Sequence, residues 1–338
     1  GGVGGGLASS PSGGIDVRLP PVPMVLVSCA VLGPLVFFVT WPYLWHDPIN
    51  RVGAYLSFHL NHEHYPALYF HELLVAPPFP WHFPVVMSAL TIPSPVFALG
   101  ALGLVVSIGR AFYGGPGRLT DVVLVSATLL PIVLIAMPNT PIFGGVKHWY
   151  NAMPTWCILA ARSAQWIVDR FGRGLLRPKF AWVAASLMAL APGFLGIVRS
   201  HPDGIGYYNE IAGGFRGGAA LGMQRGFWGG LAHPRYVDTL AQLSGGKGRV
   251  FFNRTNYDAF RMYQREKVVP SGMYYANEAK NAAVGVHFQQ PEHAEQEGAI
   301  WSAIGTRPVA GVYRHNVTLI QIYERGASRK APTLNSGE

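Results

Sequence analysis

The stretch VVLVSATLLPIVLIAMPNTPIFGGV, residues 122 to 146, contains no Asp, Glu, Lys or Arg and then runs straight into Lys147 and His148. It exceeds the roughly 18 to 20 apolar residues that a membrane-spanning helix needs. Three more runs share the property: Leu19 to Trp45, Phe83 to Gly109 and Phe180 to Val198. A fifth stretch, Trp149 to Val168, is interrupted by Arg162. One such run is compatible with a buried core helix, but four or five close together point to an integral membrane protein.

The composition agrees. Of 338 residues half are hydrophobic and 13% are charged, against about a quarter charged in soluble domains. Proline recurs within the runs at Pro34, Pro84, Pro93, Pro95, Pro131, Pro154 and Pro192. A membrane bundle tolerates this by re-satisfying the freed backbone groups, so kinked spans are expected. The net charge of +9 is scattered over short loops and the C-terminal third, with no aromatic-interleaved basic stripe, which argues against nucleic acid. Cys29 and Cys157 fall inside candidate spans and read as packing residues. Residues 1 to 21 open on the Gly/Ser-rich GGVGGGLASSPSGGID, which lacks the features of a signal peptide. This reads as a linker or cytoplasmic loop, and the chain is expected to begin partway through a longer protein.

Residues 22 to 199 are thus expected to form a membrane domain with about five transmembrane helices. Arg110, Arg118, Arg170, Arg173, Arg177 and Lys179 crowd two short connectors, 110 to 120 and 169 to 179. By the positive-inside rule these are cytoplasmic, and Arg162 is expected to snorkel toward that side. The connectors 46 to 82 and 139 to 148 and everything after Arg199 then lie outside, with Lys147 and His148 at the membrane boundary. No inverted repeats suggest a transporter.

The outer loop beginning at His46 is dense in His and aromatic residues, as an interfacial belt would be. His62, Glu63 and His64, with His59 and His71 nearby, resemble a metal cluster. Their spacing does not suit one helix face, so a polar cavity lining is preferred, a divalent metal site being the less supported alternative, and no other cofactor is expected. After Arg199 the pattern changes. YVDTLAQL and NYDAFRMYQRE are helical in period, whereas RVFF, AVGVHF, PVAGVY and VTLIQIY are strand-like. Residues 200 to 330 are expected to be a small extracytoplasmic α/β domain, with 331 to 338 as a tail. It carries no phosphate loop, nucleophile elbow or dinucleotide fingerprint. Asn253 and Asn316 head weak glycosylation sequons.

These segments, in order, carry a resemblance: TWPYLWHDPI (40 to 49), FHLNHEHYPALYF (58 to 70), PPFPW (77 to 81), TPIFGGVKHWYNAMP (140 to 154), HPDGIGYYNEIAGG (201 to 214), NYDAFRMYQRE (256 to 266) and TRPVAGVYRHNVTLIQIY (306 to 323). The chain resembles glycosyltransferase family 39, the membrane enzymes that include protein O-mannosyltransferases and the aminoarabinose transferase of lipid A, and especially its bacterial members. The resemblance implies a mainly α, polytopic C-type glycosyltransferase bundle in a bacterial inner membrane. It also implies an inverting transfer from a polyprenyl-phosphate sugar donor to a lipid, glycan or protein acceptor at the outer face. The acidic base of such enzymes lies in a first outer loop that would precede Gly1, and Asp47 is the nearest candidate by place. The fragment alone is then expected to be inactive.

In that setting Lys147, His148 and the pair Gly144 and Gly145 are candidates for binding the donor phosphate. A cation there would stabilise the leaving phosphate, and the glycines would let the backbone approach. A lysine snorkelling beside Trp149 and Tyr150 is the structural alternative. His62, Glu63, His64 and Tyr69 are candidates for the substrate cavity. Tyr207, Tyr208, Asn209 and Glu210 either face the acceptor or dock the outer domain on the bundle. The competing functional reading is a catalytically incomplete membrane protein that binds a lipid-linked sugar or a partner membrane protein.

Overall fold

The computed structural model describes residues 24–61, 64–172, 178–226, 239–240, 242–243, 246–253, 255–290, 294–326 and 336–337. The expected linker 1–21, His62 and Glu63, part of the 236–243 segment and most of the tail lie outside these residues. The chain divides into two compact units, Gly1–His62 and Glu63–Glu338.

The first unit holds α1 (Met24–Thr40) and α2 (Pro48–Leu60). At 17 residues α1 carries no charged side chain and has Pro34 within it. Its aromatic end packs edge-on, with Phe37 and Tyr55 each near 5 Å from Trp41. The Arg51 guanidinium lies 4.7 Å from the Tyr43 ring centre. Pro48 opens α2 at its first turn, where the missing N–H costs nothing.

The second unit begins with a hairpin, β1 (Ala67–Tyr69) and β2 (Glu72–Leu74), whose turn residues Phe70 and His71 both have positive φ. Then come α3 (Phe83–Thr91), α4 (Ser94–Tyr113), α5 (Arg118–Ala136), α6 (Met153–Ile167) and α7 (Pro178–Ser200). Among the described residues three helices are long and apolar enough to cross a membrane: Ser94–Tyr113, Arg118–Ala136 and Lys179–Ser200. The run from Phe83 to Gly109 is two helices rather than one. Pro93 has no N–H to continue the helix, and Ile92 before it is extended (φ −77°, ψ 136°).

Helices α4 and α6 pack closely because α4 presents small residues to α6. A Cβ at Gly103 would sit 2.3 Å from the Leu159 carbonyl oxygen, and one at Gly100 would strike the Trp156 ring. Next along this face is buried Ser107, which accepts a hydrogen bond from Arg162 of α6 at 3.2 Å. The same guanidinium nitrogen, Nη1, also donates to Asp121 of α5 at 2.6 Å, and Arg110 of α4 donates to the same carboxylate at 3.0 Å. Arg162 is therefore paired inside the helix cluster instead of snorkelling. Asp121 is fully buried, so its charge depends on these two arginines. Farther along, Thr128 of α5 donates to Thr155 of α6 at 2.8 Å.

After α7 come a short helix, α8 (Gly214–Ala220), and a mixed six-stranded sheet. Its strands are β3 (Gly248–Phe252), β4 (Met273–Tyr275), β5 (Val284–Phe288), β6 (Ala310–Arg314), β7 (Val317–Glu324) and β8 (Ser336–Gly337), in the order β4-β3-β5-β7-β6-β8. β3 runs parallel to β4 and β5, while β7 is antiparallel to both β5 and β6. α9 (Tyr257–Arg265) starts at Asn256, whose side chain caps the Ala259 N–H at 2.8 Å. With α10 (Ala294–Ala303), it completes this α/β part. Every residue of β5 is buried, as expected for a central strand covered on both faces.

Replacing Arg162 with Met leaves Asp121 buried with Arg110 alone. The expected loss is about 2 to 3 kcal/mol, below that of a fully orphaned buried charge. Tryptophan fluorescence during denaturant unfolding in micelles reads this, and unchanged stability would contradict the role assigned to the ion pair. Asp121→Asn added to Arg162→Met should recover part of the loss, because no buried charge is then left.

Candidate functional site

The segment Thr140–Tyr150 is anchored at both ends. Thr140 closes α5 by donating its hydroxyl to the Leu134 carbonyl at 2.8 Å. Ile142 and Trp149 are almost fully buried in the cluster that also holds Tyr69, Phe79 and Phe83. The Trp149 indole N–H donates to Ser88 Oγ of α3 at 2.9 Å. Between these anchors Gly144 (φ 77°) and Gly145 (φ 63°) are consecutive left-handed residues, a turn that residues with a Cβ rarely adopt. A short 3₁₀ helix, Gly145–Ala152, follows. The glycine pair thus reverses the chain and presents Phe143, Lys147 and His148 together.

Phe143 is the hub. Lys147 Nζ lies 4.0 Å from its ring centre, and His148 packs edge-on at 4.8 Å. Tyr65, from the loop after α2, packs on the same ring at 4.7 Å. Burial lowers the pKa of Lys147 below the ordinary lysine range, so its ammonium is incompletely hydrated and an anion would stabilise it. The arrangement can therefore receive an anionic group beside a π face.

The other sequence candidates are placed as follows. His64 is exposed, edge-on to Phe79 at 5.3 Å. Tyr69 is only 4% exposed, its hydroxyl 2.8 Å from His82 Nδ1, and burial raises its pKa to about 12. It belongs to the core below the loop. His71 contacts the Ala220 carbonyl at 3.1 Å and so fastens the hairpin to the end of α8. Asp47, at the N-terminus of α2, accepts a hydrogen bond from Asn50 at 2.9 Å. Among the described residues no group of three or more His, Cys, Asp or Glu is arranged to hold a metal.

Tyr207 to Glu210 join the sheet part to the helices. Ala89 O of α3 faces Pro93, which has no N–H to offer it, and Asn209 Nδ2 donates there instead at 2.7 Å. The same amide donates to Ile92 O, and the Asn209 N–H donates to Leu90 O at 2.8 Å. Asn209 Oδ1 accepts from the Ile211 and Ala212 N–H groups at 3.0 and 3.2 Å. Glu210 accepts from the Ser94 hydroxyl at 2.8 Å and the Ser94 N–H at 3.3 Å, placing an anion at the N-terminus of α4. Burial pushes the Glu210 pKa up, but hydrogen bonds from its own backbone and from Ser94 outweigh this, and the net shift is downward. Residues 209 and 210 therefore complete both sides of the α3–α4 break. The signal for this was in the sequence: two prolines around Ser94 leave carbonyls that need outside donors.

A cavity of about 710 Å³ is lined by the end of α7, residues 207 to 210 and 213 to 216 and the β6–β7 turn, and by none of residues 140 to 150. No family model, curated protein or solved structure matches the chain.

Asn209→Asp puts a charged acceptor against two carbonyl oxygens, those of Ala89 and Ile92, whereas Asn209→Ala only removes the side-chain hydrogen bonds. The Asp variant should lose more stability than the Ala variant, which itself should lose about 1 to 3 kcal/mol. Thermal unfolding of both proteins in detergent decides this, and a wild-type midpoint for Asn209→Asp would remove the docking role.

Proposed function

We propose that the chain is the C-terminal part of a membrane glycosyltransferase that moves a sugar from a polyprenyl-phosphate donor to a lipid, glycan or protein acceptor at the outer face of a bacterial inner membrane. The observation that carries this reading is the grouping of Lys147 and His148 on Phe143, in a turn enforced by Gly144 and Gly145. That turn follows a helix long and apolar enough to cross a membrane, which is where the phosphate of a lipid-linked donor resides. When the sugar leaves, its glycosidic bond to phosphate oxygen breaks and the electron pair stays on the phosphate. The Lys147 ammonium would meet that growing charge from a partly desolvated position, where a cation is worth more than in bulk water. His148 would add a ring N–H donor, and Tyr65 and Phe143 an apolar wall for the sugar or the first isoprene units. The acceptor's deprotonation requires a carboxylate that the resemblance places before Gly1.

The second reading, binding of a lipid-linked sugar without catalysis, is favoured by one observation. The Asp47 carboxylate, the nearest base candidate, is engaged by Asn50 at the start of α2.

With a radiolabelled polyprenyl-phosphate sugar and membranes carrying the full-length protein, Lys147→Ala should lower turnover tenfold or more, a change of about 1.4 kcal/mol per decade. Lys147→Arg should retain part of it. Wild-type turnover in Lys147→Ala removes the phosphate-clamp role, and absence of sugar transfer by the full-length protein, with donor binding retained, moves the second reading to the front. A reporter fused after Lys330 is expected to behave as extracytoplasmic. A cytoplasmic signal would overturn the orientation and with it the assignment of Lys147 to the outer boundary.

A further inference from the structure

Helix α7 is among the most exposed apolar elements of the second unit: of its membrane-length stretch Lys179–Ser200 only 6% is buried. Its side chains therefore have lipid as their natural surroundings, and its last residues mark a membrane boundary. At that end Arg314 donates hydrogen bonds to the Arg199 carbonyl and, at 2.6 Å, to the His201 carbonyl. These bonds satisfy carbonyls at the helix C-terminus with a cation, as the helix dipole favours. They also hold the β6–β7 turn against α7. The two turn residues, His315 (φ 47°) and Asn316 (φ 63°), both adopt the left-handed conformation although neither is glycine. Positive φ at both central residues is the geometry that a two-residue hairpin loop demands, and this turn sets both residues in the wall of the 710 Å³ cavity.

The polar lining of that cavity is unequally committed. Glu210, its one carboxylate, is already occupied by Ser94. Among the described residues the guanidinium groups of Arg199 and Arg216 enter no ion pair or hydrogen bond, although both line the cavity. The Tyr207 hydroxyl, also in the lining, is shielded from solvent and has no hydrogen-bond partner. A buried hydroxyl normally finds one. The remaining wall includes Pro192 and Leu195, which belong to the lipid-facing length of α7. Two uncommitted arginines and an unpaired hydroxyl, placed beside an apolar helix at its membrane boundary, fit a ligand that is anionic at one end and hydrocarbon at the other. The volume lies within the usual range of ligand pockets, about 300 to 1,000 Å³.

We propose that this cavity binds the phosphate headgroup of an anionic membrane lipid, with Arg199 and Arg216 on the phosphate oxygens, Tyr207 donating from the cavity wall, and the acyl chains leaving along Leu195 and Pro192. Arginine suits this role because its planar fork engages phosphate at two points. The site shares no lining residue with the Lys147 turn and does not depend on the glycosyltransferase reading.

The test uses the full chain in dodecylmaltoside, titrated with dihexanoyl-phosphatidylglycerol, with inorganic phosphate and dihexanoyl-phosphatidylcholine as comparators. Saturable binding of the phosphatidylglycerol is expected, at least tenfold tighter than either comparator. The pair Arg199→Gln/Arg216→Gln should weaken it at least tenfold, and Arg199→Lys/Arg216→Lys should fall between. Because these guanidinium groups make no contacts that hold the fold, the unfolding midpoint should stay at the wild-type value. Lys147→Ala should bind the probe as the wild type does, which separates failure here from failure of the donor-site reading. Equal affinity for inorganic phosphate would make this a free-phosphate site and overturn the lipid assignment. Equal affinity for phosphatidylcholine, or undiminished binding by the Gln pair, would overturn the role of the arginines.

Discussion

The ion pair at Asp121 is the constraint on which the helical part depends. A carboxylate with no exposed surface is tolerable only where cations meet it, and here they come from two different helices, Arg110 of α4 and Arg162 of α6. Arg110 and Arg162 lie in the C-terminal halves of α4 and α6 and Asp121 in the first turn of α5, so the contacts fix register as well as proximity. Hydrophobic burial cannot do this between helices whose outer surfaces face hydrocarbon, because lipid satisfies apolar side chains as well as a neighbouring helix does. The small face of Gly100, Gly103 and Ser107 lets α4 and α6 approach, and the polar contacts at Asp121 and Thr128 choose which approach is made. Asp121 also sits in the first turn of α5, where a negative charge is favoured by the helix dipole.

The second junction follows from proline chemistry. Pro93 and Pro95 end one helix and start another, leaving acceptors at the end of α3 and a donor at Ser94 with no helical partner. Asn209 and Glu210 supply the complementary groups from over a hundred residues away. These bonds tie the loop after α7 to the α3–α4 break within the unit Glu63–Glu338. It also gives the α3–α4 break a function in assembly: it is a socket, and the loop after α7 is the plug.

What the sequence made legible were features that depend on neighbours along the chain. Charge-free runs indicated α4, α5 and α7, and short apolar or β-branched runs found β3, β5, β6 and β7 to within two residues. The short β4 and α10 were missed, since a three-residue strand or a weakly amphipathic ten-residue helix carries little periodic signal. The break after Thr91 was written in its prolines but hidden by unbroken hydrophobicity. The pairing of Asp121 with Arg162 spans 41 residues and could not be read from either position, so Arg162 looked like a snorkelling residue. At the candidate site, the sequence brought out Lys147, His148 and the two glycines together. The role of Phe143 and Tyr65 in gathering them depends on a ring contact between distant loops.

The three environments given to charge in this unit follow one rule. Where water is excluded, at Asp121, the charges are paired and hydrogen-bonded. At the Lys147 turn the cation rests on an aromatic face, which offsets some of its lost hydration. At the end of α7, Arg199 and Arg216 remain exposed and uncommitted, which costs little because water reaches them. Their lack of partners beside a committed Glu210 is therefore a property of the surface, one that favours anions at the point where a lipid-facing helix emerges.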